Sequence, residues 1–548
     1  MALNLLTNPW IPVRRDDGST ATIAPWELVP PEDGSTAPPV DIIPPRADFR
    51  AALHEFCIGL LQVTLGATLR SGADWEDLLL TPPSQTDLKE AFADHVQWFN
   101  LMGERPLFMQ DLTLPKPGPS DKTFPVSSLL IDAPGLNAIN QNTDHFVKRD
   151  RTDCLCPACA AMALYTLQTF APSGGAGNRT SLRGGGPLST LAVPQRVGNA
   201  PATLWHTLWA NVLPLSVYKW DDGLRAGRMT TLPGDVYPWG APTRTSEKGE
   251  ETAPSDVHIF QCHWGMPRRI LLLPQEEATP STCSLCGAET TTVVRHFAQR
   301  PSGTNYGPTW KHPLTPYRFQ KNGAPALPVK GNPGITGYVN WLGVVYGEGT
   351  DPGEMARARC VDNALKEDVL KGTVRIRVSG YDMDNMKARQ WCEGQYPVFT
   401  IAGDNLARFR ADVKQLVKDA DTVKKSLMGA LKAVIFSDKA DASVDKSVFH
   451  GHTATYWGGT KTMFYDMVQH YAARAAASTE EDASAAAQPD LRREWVTYLI
   501  RQATKLFDMA ADAQPTPKPP QHREIARTKA QLHFGLRKTF KAILQPTA

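Results

Sequence analysis

Two pairs of cysteines have the spacing of metal ligands. The first pair is Cys156 and Cys159, and the second, Cys283 and Cys286, is followed at once by Gly287. Two residues between cysteines let both thiolates turn toward one ion, and four thiolates complete the tetrahedral shell of a structural Zn²⁺. The sequence therefore predicts one structural Zn²⁺ held by all four cysteines, with four unrelated buried thiols as the alternative.

A polar, basic stretch surrounds the first cysteine pair. Residues 140–153 read NQNTDHFVKRDRTD, residues 160–170 form an apolar helical run, and residues 172–187 form a glycine-rich segment, PSGGAGNRTSLRGGGP. Five Lys/Arg and two Asp lie between His145 and Pro187, on a chain whose net charge is +2. Such a local cationic patch is typical of a surface that binds a polyanion.

The common catalytic motifs are absent from the sequence. There is no GxxxxGK[ST], HExxH or GxSxG. Asp382 and Asp384 are too few carboxylates for the metal site of a nuclease. Cys262 and His263, with His258 nearby in the sequence, can ligate a metal but are interpreted as structural. We therefore predict a protein that is not an enzyme.

Composition and the N-terminal sequence limit the classes of protein to which this chain can belong. A chain of 548 residues with 42% hydrophobic content is long enough for two to four domains with real cores. The N-terminus lacks the regions of a signal peptide, and no apolar run approaches the ~18–20 residues that cross a bilayer. We expect a cytoplasmic protein with reduced thiols and no membrane contact, which favours metal over disulfides.

The fold class predicted from residue patterns is α+β. Glycine and proline are concentrated before residue 400, which indicates a large irregular mixed α/β N-terminal domain over 1–400 that carries the zinc knuckle and the loops. Helical periodicity dominates afterwards and predicts an all-α four-helix bundle over 401–548. Its helices are expected at about 405–436, 454–476, 491–511 and 521–544.

The last predicted helix has a cationic face with few acidic residues. Such a face is usually only solvated, and the alternative is contact with nucleic acid, which the family resemblance given below makes the DNA backbone. The residues in question are Arg523, Arg527, Lys529, Arg537 and Lys538.

Two further predictions concern loops: a hairpin-like excursion over 295–313 with a cation near its tip, and a strand over 373–378 that runs into a turn at 380–387.

Short motifs in a fixed order carry a family resemblance. They are residues 4–13 (NLLTNPWIPV), 106–111 (PLFMQD), the first cysteine pair with 160–164, Ala171-Pro172 with the glycine-rich segment, 182–185 (LRGG) and 310–313 (WKHP). By their order and spacing the chain resembles CasA, the large subunit of the type I-E CRISPR Cascade complex. The resemblance spans the whole chain, including the C-terminal helices.

The resemblance implies a non-catalytic subunit of an RNA-guided antiviral surveillance complex. Such a subunit recognises the protospacer-adjacent motif in target double-stranded DNA through the minor groove. It helps open the duplex for R-loop formation and recruits the helicase–nuclease. The implied partners are the 5′ handle of the guide RNA, the target DNA, the helicase–nuclease, and the backbone, handle-binding and small subunits of Cascade.

Three DNA-contacting elements and an RNA-contacting loop are also implied by the resemblance. A glycine loop approaches base edges where any Cβ would clash, a basic finger follows the second cysteine pair, and a wedge unstacks the first base pairs. The DNA residues are Gly174, Gly175, Ala176, Gly177, Asn178 and Arg179 for the loop, Arg300 for the finger, and Asp384, Asn385 and Met386 for the wedge. The guide RNA and a neighbouring subunit would contact Asn140, Phe146, Lys148, Arg149 and Arg151.

Two other classes of protein stay open at this point. One is a stand-alone zinc-stabilised RNA-binding protein, which would bind RNA without partner subunits. The other, less favoured, is a metal-dependent nuclease, which would need a cluster of carboxylates.

Overall fold

The computed structural model describes residues 3–142, 144, 151–175, 177–218, 233–384, 387–401, 403–435, 449–476, 491–513 and 519–545. The chain divides into two compact units, one formed by Met1–Asn332 with Gly349–Tyr396 and the other by Pro333–Glu348 with Pro397–Ala548. The first unit mixes helices with small sheets and the second is helical. The predicted mixed α/β fold with a helical C-terminal region is therefore confirmed, while the domain boundary between residues 400 and 401 stays a prediction.

The helices before residue 400 are mostly short. In chain order they are α1 (Ala47–Val63), α2 (Gly72–Leu80), α3 (Gln85–Phe92), α4 (Leu136–Asn140), α5 (Pro157–Phe170), α6 (Leu204–Trp209), α7 (Leu215–Tyr218), α8 (Pro233–Val236), α9 (Trp341–Val345, in the second unit) and α10 (Arg359–Ala364). Capping boxes begin α2 and α3, because the hydroxyl groups of Ser71 and Ser84 each accept the N–H of an aspartate three residues later.

The strands belong to the first unit and form small antiparallel sheets. They are β1 (Ile11–Arg15), β2 (Thr20–Ile23), β3 (Pro39–Ile42), β4 (Phe124–Pro125), β5 (Ser189–Pro194), β6 (Arg196–Val197), β7 (Ala200–Pro201), β8 (Arg269–Thr282), β9 (Glu289–Arg300), β10 (Tyr317–Arg318), β11 (Leu327–Pro328), β12 (Met355–Ala356), β13 (Val374–Asp384) and β14 (Lys387–Pro397). The three-stranded sheets have the orders β2-β1-β3, β4-β9-β8, β14-β13-β5 and β11-β10-β12, and β6 pairs with β7.

Two of the predicted loops are wrong in part. β13 continues to Asp384, so Gly380 is a strand residue and does not begin a turn. Glycine is required at position 380 because a Cβ there would lie 2.6 Å from the carbonyl oxygen of Pro187, and this close approach of two backbones excludes any side chain. The excursion predicted over 295–313 begins inside β9, whose last residue Arg300 pairs with Arg269 at the end of the hairpin opposite its turn.

An aromatic cluster around α1 forms the core of the first unit. The ring of Phe56 makes edge-to-face contacts with five other rings, at centroid distances of 5.1 to 5.9 Å. They are those of Trp10, Phe99, Phe108, Tyr165 and Trp264. By length and composition the stretch Ala47–Thr68 could cross a membrane, but 83% of its apolar window is buried inside the protein. That burial is the behaviour of a core helix.

His54 on α1 is buried and held in its neutral form. Its Nε2 accepts a hydrogen bond from the guanidinium of Arg377 at 3.2 Å, so its Nδ1 carries the proton and donates to the carbonyl of Arg50 at 2.7 Å. Burial, followed by the charge of Arg377, lowers the pKa of His54 from 6.5 to about 3. The unfolded chain binds a proton below pH 6.5, so the stability that depends on neutral His54 is full above that pH and is lost as the pH falls toward 3.

We expect His54→Gln to reduce the acid sensitivity of folding. Between pH 6.5 and pH 5 the free energy of unfolding of the wild-type protein should fall by roughly 2 kcal/mol more than that of the variant, at 1.36 kcal/mol per pH unit. Chemical denaturation at several pH values measures this difference. Substitution of the exposed His296 by Gln serves as the control, and equal pH dependence in wild type and His54→Gln would contradict the assignment.

The second unit consists of α9 and the C-terminal helices. These are α11 (Leu406–Ile435), α12 (His450–Ala476), α13 (Leu491–Asp512), α14 (Pro519–Thr539) and α15 (Lys541–Leu544). α11 contacts α12, α13 and α14, and α13 also contacts α12 and α14. Buried residues recur along α11 at helical spacing, for example Val413, Leu416 and Ala420. The helices are present as predicted, and their arrangement as a four-helix bundle stays a prediction.

Residues 333–348 join the helical unit through aromatic contacts. The ring of Tyr338 stacks on Phe464 with centroids 3.9 Å apart, and Trp341 packs edge-on against Phe409 and Phe464. The indole N–H of Trp341 donates to the carbonyl of Pro397 at 2.9 Å. These partners are distant in sequence, so no local pattern indicated that the segment belongs with the helices.

Candidate nucleic-acid interface and metal centre

The two cysteine pairs meet in the first unit. Cys156 and Cys159 lie at the start of α5, and Cys283 and Cys286 lie in the turn between β8 and β9. The four Sγ atoms lie within 4.8 Å of one another. The Sγ atoms of Cys156 and Cys286 are 3.7 Å apart, close to the ~3.8 Å between sulfurs in a tetrahedral shell with Zn–S bonds of about 2.3 Å. The four residues therefore form one cluster that can hold a metal ion.

The local backbone shapes this cluster. The Sγ of Cys156 accepts the N–H of Cys159 at 3.4 Å and caps α5. In the β8–β9 turn, Gly287 adopts a φ of +75°, and its N–H donates to the carbonyl of Cys283 at 3.0 Å. Hydrogen bonds from Cys156 and Cys159 hold the pKa of the Cys283 thiol well below its usual range. Four sulfur donors suit Zn²⁺ and do not suit Mg²⁺ or Ca²⁺, which take oxygen ligands.

Backbone hydrogen bonds also join the two segments that carry the cysteines. Leu155 and Val294 exchange N–H···O bonds of 3.0 and 2.9 Å, and the N–H of Ser284 donates to the carbonyl of Cys154 at 2.8 Å. The turn of the β8–β9 hairpin is thus held against the start of α5. A metal ion in the cluster would fasten two segments that are more than a hundred residues apart.

The glycine loop, residues 174–179, closes on itself. The N–H of Asn178 donates to the carbonyl of Gly175 at 3.0 Å, and its side-chain amide donates to the carbonyl of Gly174 at 2.9 Å. Gly175 and Gly177 have φ values of +87° and +78°, which residues with a Cβ rarely adopt. Gly174 and Gly175 are exposed, and Ala176 lies outside the described residues. The loop therefore presents bare backbone at Gly175.

The end of β9 is tied to this glycine loop. The side-chain amide of Gln299 donates to Oδ1 of Asn178 at 2.7 Å, and the N–H of Ser302 donates to the carbonyl of Gly177 at 2.7 Å. Arg300 lies between these two contacts in the sequence and is exposed. The candidate basic finger is therefore adjacent to the glycine loop, although it is not at the tip of a hairpin.

The candidate wedge begins at the last residue of β13 and precedes β14 in the sequence. Asp384 is the last residue of β13 and is exposed, while Asn385 and Met386 lie outside the described residues. The guanidinium of Arg389 on β14 donates two hydrogen bonds of 2.9 Å to the carboxylate of Asp382 on β13. This ion pair ties β14 to β13 two residues before Asp384.

The glycine-rich segment 172–187 borders both candidate elements. At one end, Gly177 contacts Ser302 just after β9. At the other, a Cβ on Gly186 would lie 2.5 Å from the carbonyl oxygen of Tyr381 in β13, so the two backbones touch. Three elements that are distant in sequence are thus brought together along one segment of the first unit.

The predicted RNA-contacting loop is only partly described. Asn140, the last residue of α4, and Arg151 are both exposed. Phe146, Lys148 and Arg149 lie outside the described residues.

The predicted cationic face of α14 is largely exposed. Its apolar residues Leu532 and Leu536 are buried, which leaves the charged residues on the outside. The exposed cations are Arg523, Arg527, Arg537 and Lys538. Lys529 differs from them, because its ammonium group pairs with the carboxylate of Asp508 on α13 at 2.8 Å. This half-exposed pair distinguishes Lys529 from the other cations of the face, and contact of the face with the DNA backbone stays a prediction.

Comparison with known families decides the identity of the chain. The model of the family "CRISPR-associated protein Cse1" matches residues 4–506. The chain belongs to the Cse1 family. The family resemblance inferred from the short motifs is thereby confirmed.

Solved structures share the fold of this Cse1 family chain. CasA of Thermus thermophilus is 18% identical with a TM-score of 0.65, over 98% of this chain and 100% of that chain. Cse1 of Thermobifida fusca is 16% identical with a TM-score of 0.63, over 98% of both chains. A chain of a CRISPR RNA-guided surveillance complex is 17% identical with a TM-score of 0.66, over 97% of this chain and 99% of that chain.

Two arginines of this Cse1 family chain, Arg179 in the glycine loop and Arg268 next to it, have roles that the sequence did not indicate. The guanidinium of Arg179 donates to the hydroxyl of Ser246 at 2.9 Å, so it anchors a neighbouring loop. Arg268 is buried beneath the loop, where it donates to the carbonyl of Pro172 and lies 3.2 Å from the position of a Cβ on Gly174. Burial lowers the pKa of Arg268 to about 10. Neither role has a signature in local sequence.

Proposed function

We propose that this chain is the non-catalytic large subunit of a CRISPR RNA-guided surveillance complex of the Cascade type, acting in the cytoplasm. The observation that carries the proposal is the family match over residues 4–506. The likeness in fold to a chain of a surveillance complex supports it. The proposed partners are a guide RNA, the backbone, handle-binding and small subunits, and the helicase–nuclease.

The proposed task of the subunit is to recognise the protospacer-adjacent motif in duplex DNA and to help form the R-loop. The glycine loop would approach the minor groove, Arg300 would contact the groove or a phosphate, and the β13–β14 turn would separate the first base pairs. The proposal is supported by the bare backbone at Gly175 and by the position of Arg300 next to the loop. It also draws on the contact of the same glycine-rich segment with β13 at Gly186.

Copurification from the native host tests this proposal against its alternatives. A guide RNA and partner subunits should be recovered with the chain, and the assembled complex should form R-loops on targets with a suitable motif. An RNA bound by the isolated chain without partners would favour the stand-alone RNA-binding protein. DNA cleavage by the isolated chain with a divalent metal would favour the nuclease.

The geometry around the paired aspartates favours the non-catalytic role. The carboxylate of Asp382 is occupied by two hydrogen bonds from Arg389, and Asp384 is exposed at the end of its strand. A nuclease site needs several carboxylates that converge on Mg²⁺ and on the scissile phosphate. The arrangement of Asp382 and Asp384 therefore favours a structural role in the pairing of β13 with β14 over a catalytic role.

We further propose that Zn²⁺ is the resident ion of the four-cysteine cluster. Its part is structural, because a shell of four thiolates leaves no open position for substrate or water. The residues that hold it would fix the β8–β9 hairpin to α5. The other end of that hairpin bears Arg300 and contacts the glycine loop. The ion would therefore help to fix the positions of the proposed DNA-contacting elements relative to one another.

Arg300→Ala should weaken recognition of the motif without unfolding the chain. Arg300 is exposed, and its loss should remove one cationic contact with the DNA, worth about 1–3 kcal/mol, or roughly 5- to 150-fold in affinity. Binding of the assembled complex to duplexes with and without the motif measures the effect. Arg196→Ala, in the β6–β7 hairpin of the same unit, is the matched control, and an equal effect of both variants would refute the role of Arg300.

Neutralising the exposed cations of α14 should weaken DNA binding for all sequences alike. Substitution of Arg523, Arg527, Arg537 and Lys538 by Gln should also reduce the slope of log affinity against log salt by about 0.9 for each phosphate that is no longer neutralised. Lys529→Gln is the internal control. Lys529 already pairs with Asp508, so we expect its substitution to leave the slope of log affinity against log salt nearly unchanged. A slope that stays the same in the fourfold variant would place this face in solvent or against protein.

A further inference from the structure

Cys262, His263 and His312 form a second cluster of metal-ligand types, distinct from the four cysteines. One ligand atom from each residue lies within 4.8 Å of the other two, and all three residues are buried. His258, which is near this pair in the sequence, is not a member of this cluster, and its Nδ1 accepts the N–H of Phe260. The third member is instead His312, which belongs to the distant WKHP motif.

A fourth polar group completes the cluster. The hydroxyl oxygen of Tyr218 lies 2.7 Å from Sγ of Cys262 and 3.2 Å from Nε2 of His263, and Tyr218 is fully buried. Nδ1 of His263 is buried with no hydrogen-bond partner in the part of the chain that the structure describes. An unsatisfied buried polar atom costs roughly 1–3 kcal/mol, so the hydrogen bonds among the described residues leave His263 only partly satisfied.

We propose that Cys262, His263 and His312 bind a second metal ion, Zn²⁺, with the hydroxyl of Tyr218 in the fourth position. One sulfur and two imidazole nitrogens are donors that zinc prefers, and the cluster includes no carboxylate from the described residues to favour Mg²⁺ or Ca²⁺. Around tetrahedral zinc such donor atoms lie ~3.3–3.6 Å apart. Ligand atoms that now lie within 4.8 Å of one another reach that spacing by shifts of about 1 Å.

Binding of the ion requires a definite movement of protons. Cys262 releases its thiol proton to solvent, and both imidazoles bind as neutral ligands. Nδ1 of His312 accepts the N–H of Leu314 at 3.2 Å, so its proton is on Nε2. That proton moves to Nδ1 when Nε2 binds the metal, and the hydrogen bond with Leu314 is given up.

The proposed site would lie close to a buried ion pair. One thiolate and a divalent ion leave the site with a net charge of +1. The guanidinium of Arg183, whose positive charge acts on both His263 and His312, is paired with the carboxylate of Glu55 at 2.6 Å. The site has a structural role, because all of its ligands are buried and its fourth position is filled.

Metal content and X-ray absorption at the zinc edge test the proposal on the full chain, purified without a metal-binding tag. The wild-type protein should hold two zinc ions, and its spectrum should contain both Zn–S distances of about 2.3 Å and Zn–N distances of about 2.0–2.1 Å. His312→Gln should hold one zinc ion with sulfur neighbours only. His258→Gln, which removes a buried histidine that is not a ligand, should keep both ions and the mixed spectrum.

The outcomes separate this site from the four-cysteine site. A wild-type spectrum with sulfur neighbours only overturns the proposal, as does a His312→Gln variant that keeps the wild-type zinc content. A single zinc ion with nitrogen neighbours would support this site and refute zinc at the four cysteines. The wild-type spectrum decides the question even if His312→Gln does not fold.

Discussion

Cys283→Ser should cost the chain one zinc ion and most of its soluble, folded population. Structural zinc contributes an apparent 10–16 kcal/mol in zinc-finger peptides at pH 7, whereas a whole domain is stable by only about 5–15 kcal/mol. The variant loses one of four thiolates and the tie between α5 and the β8–β9 turn. Zinc analysis of the soluble fraction, with thermal unfolding, measures both effects.

The matched control for this experiment is Cys392→Ser. Cys392 is a buried thiol on β14 that lies outside the cluster, so its replacement tests the loss of a buried sulfur without the loss of a ligand. We expect this variant to keep the wild-type zinc content and to show only a small decrease in Tm. A soluble Cys283→Ser protein with unchanged zinc content and Tm would show that the cluster is four ordinary thiols.

The cysteine cluster could be predicted from sequence because its signal is local. The spacing of the two cysteines within each pair is enough to identify that pair as metal ligands. Only the close approach of the two pairs depends on the tertiary fold. The sequence did not indicate where that meeting lies. The β8–β9 hairpin carries Cys283 at its turn and Arg300 at its far end, so one element links the proposed metal centre to the glycine loop. Strand pairing over ten or more residues is a non-local property, and no motif reports it.

The helices after residue 400 were predictable for the same reason. An apolar stripe at helical spacing is visible within each segment, as in Leu532 and Leu536 of α14. Glycine-rich and proline-rich sequence has no such period, so only isolated elements of the first unit could be predicted, such as the helical run over 160–170 and the strand over 373–378. At Gly380 the glycine serves close packing of two backbones inside a sheet, a use of glycine that looks the same in sequence as a turn.

The charged residues show the other limit of prediction from sequence. Lys529 looked like its neighbours on α14 but pairs with Asp508 on α13. Arg179 looked like part of a DNA-contacting loop but bonds to Ser246. Whether a cation is available for phosphate depends on partners supplied by tertiary structure. Composition therefore located the cationic segments but could not say which charges are free.

Gly175→Val should abolish recognition of the motif while the protein stays folded. Gly175 is exposed, and a Cβ there would meet nothing within 4 Å of the protein. The valine would therefore project into the space where, on our proposal, the minor groove approaches. Binding should fall to the non-specific level, roughly 10³-fold or more below specific binding. Affinity of the assembled complex for duplexes with and without the motif measures this loss.

The control must share the backbone strain of this substitution. Gly198 lies between β6 and β7 with a φ of +57° and open space around its Cβ position, so Gly198→Val carries a similar left-handed penalty of about 1–2 kcal/mol. It should bind DNA normally. Gly177→Val is a poorer test, because a Cβ at position 177 would lie 2.5 Å from Cβ of Pro301 and would displace the loop itself. Equal loss of binding in the Gly175 and Gly198 variants would mean that strain alone is responsible.

A DNA target with a pre-melted bubble next to the motif separates recognition of the motif from opening of the duplex. Changing Asn385 and Met386 to Gly should leave docking on the duplex largely intact and slow R-loop formation, because a wedge offsets a few kcal/mol of unstacking at the first step. The bubble removes that cost and should restore the rate of the wedge variant. It cannot restore Gly175→Val, whose defect precedes strand separation. If the bubble rescues both variants equally, or neither, then the glycine loop and the β13–β14 turn do not divide the work in this way.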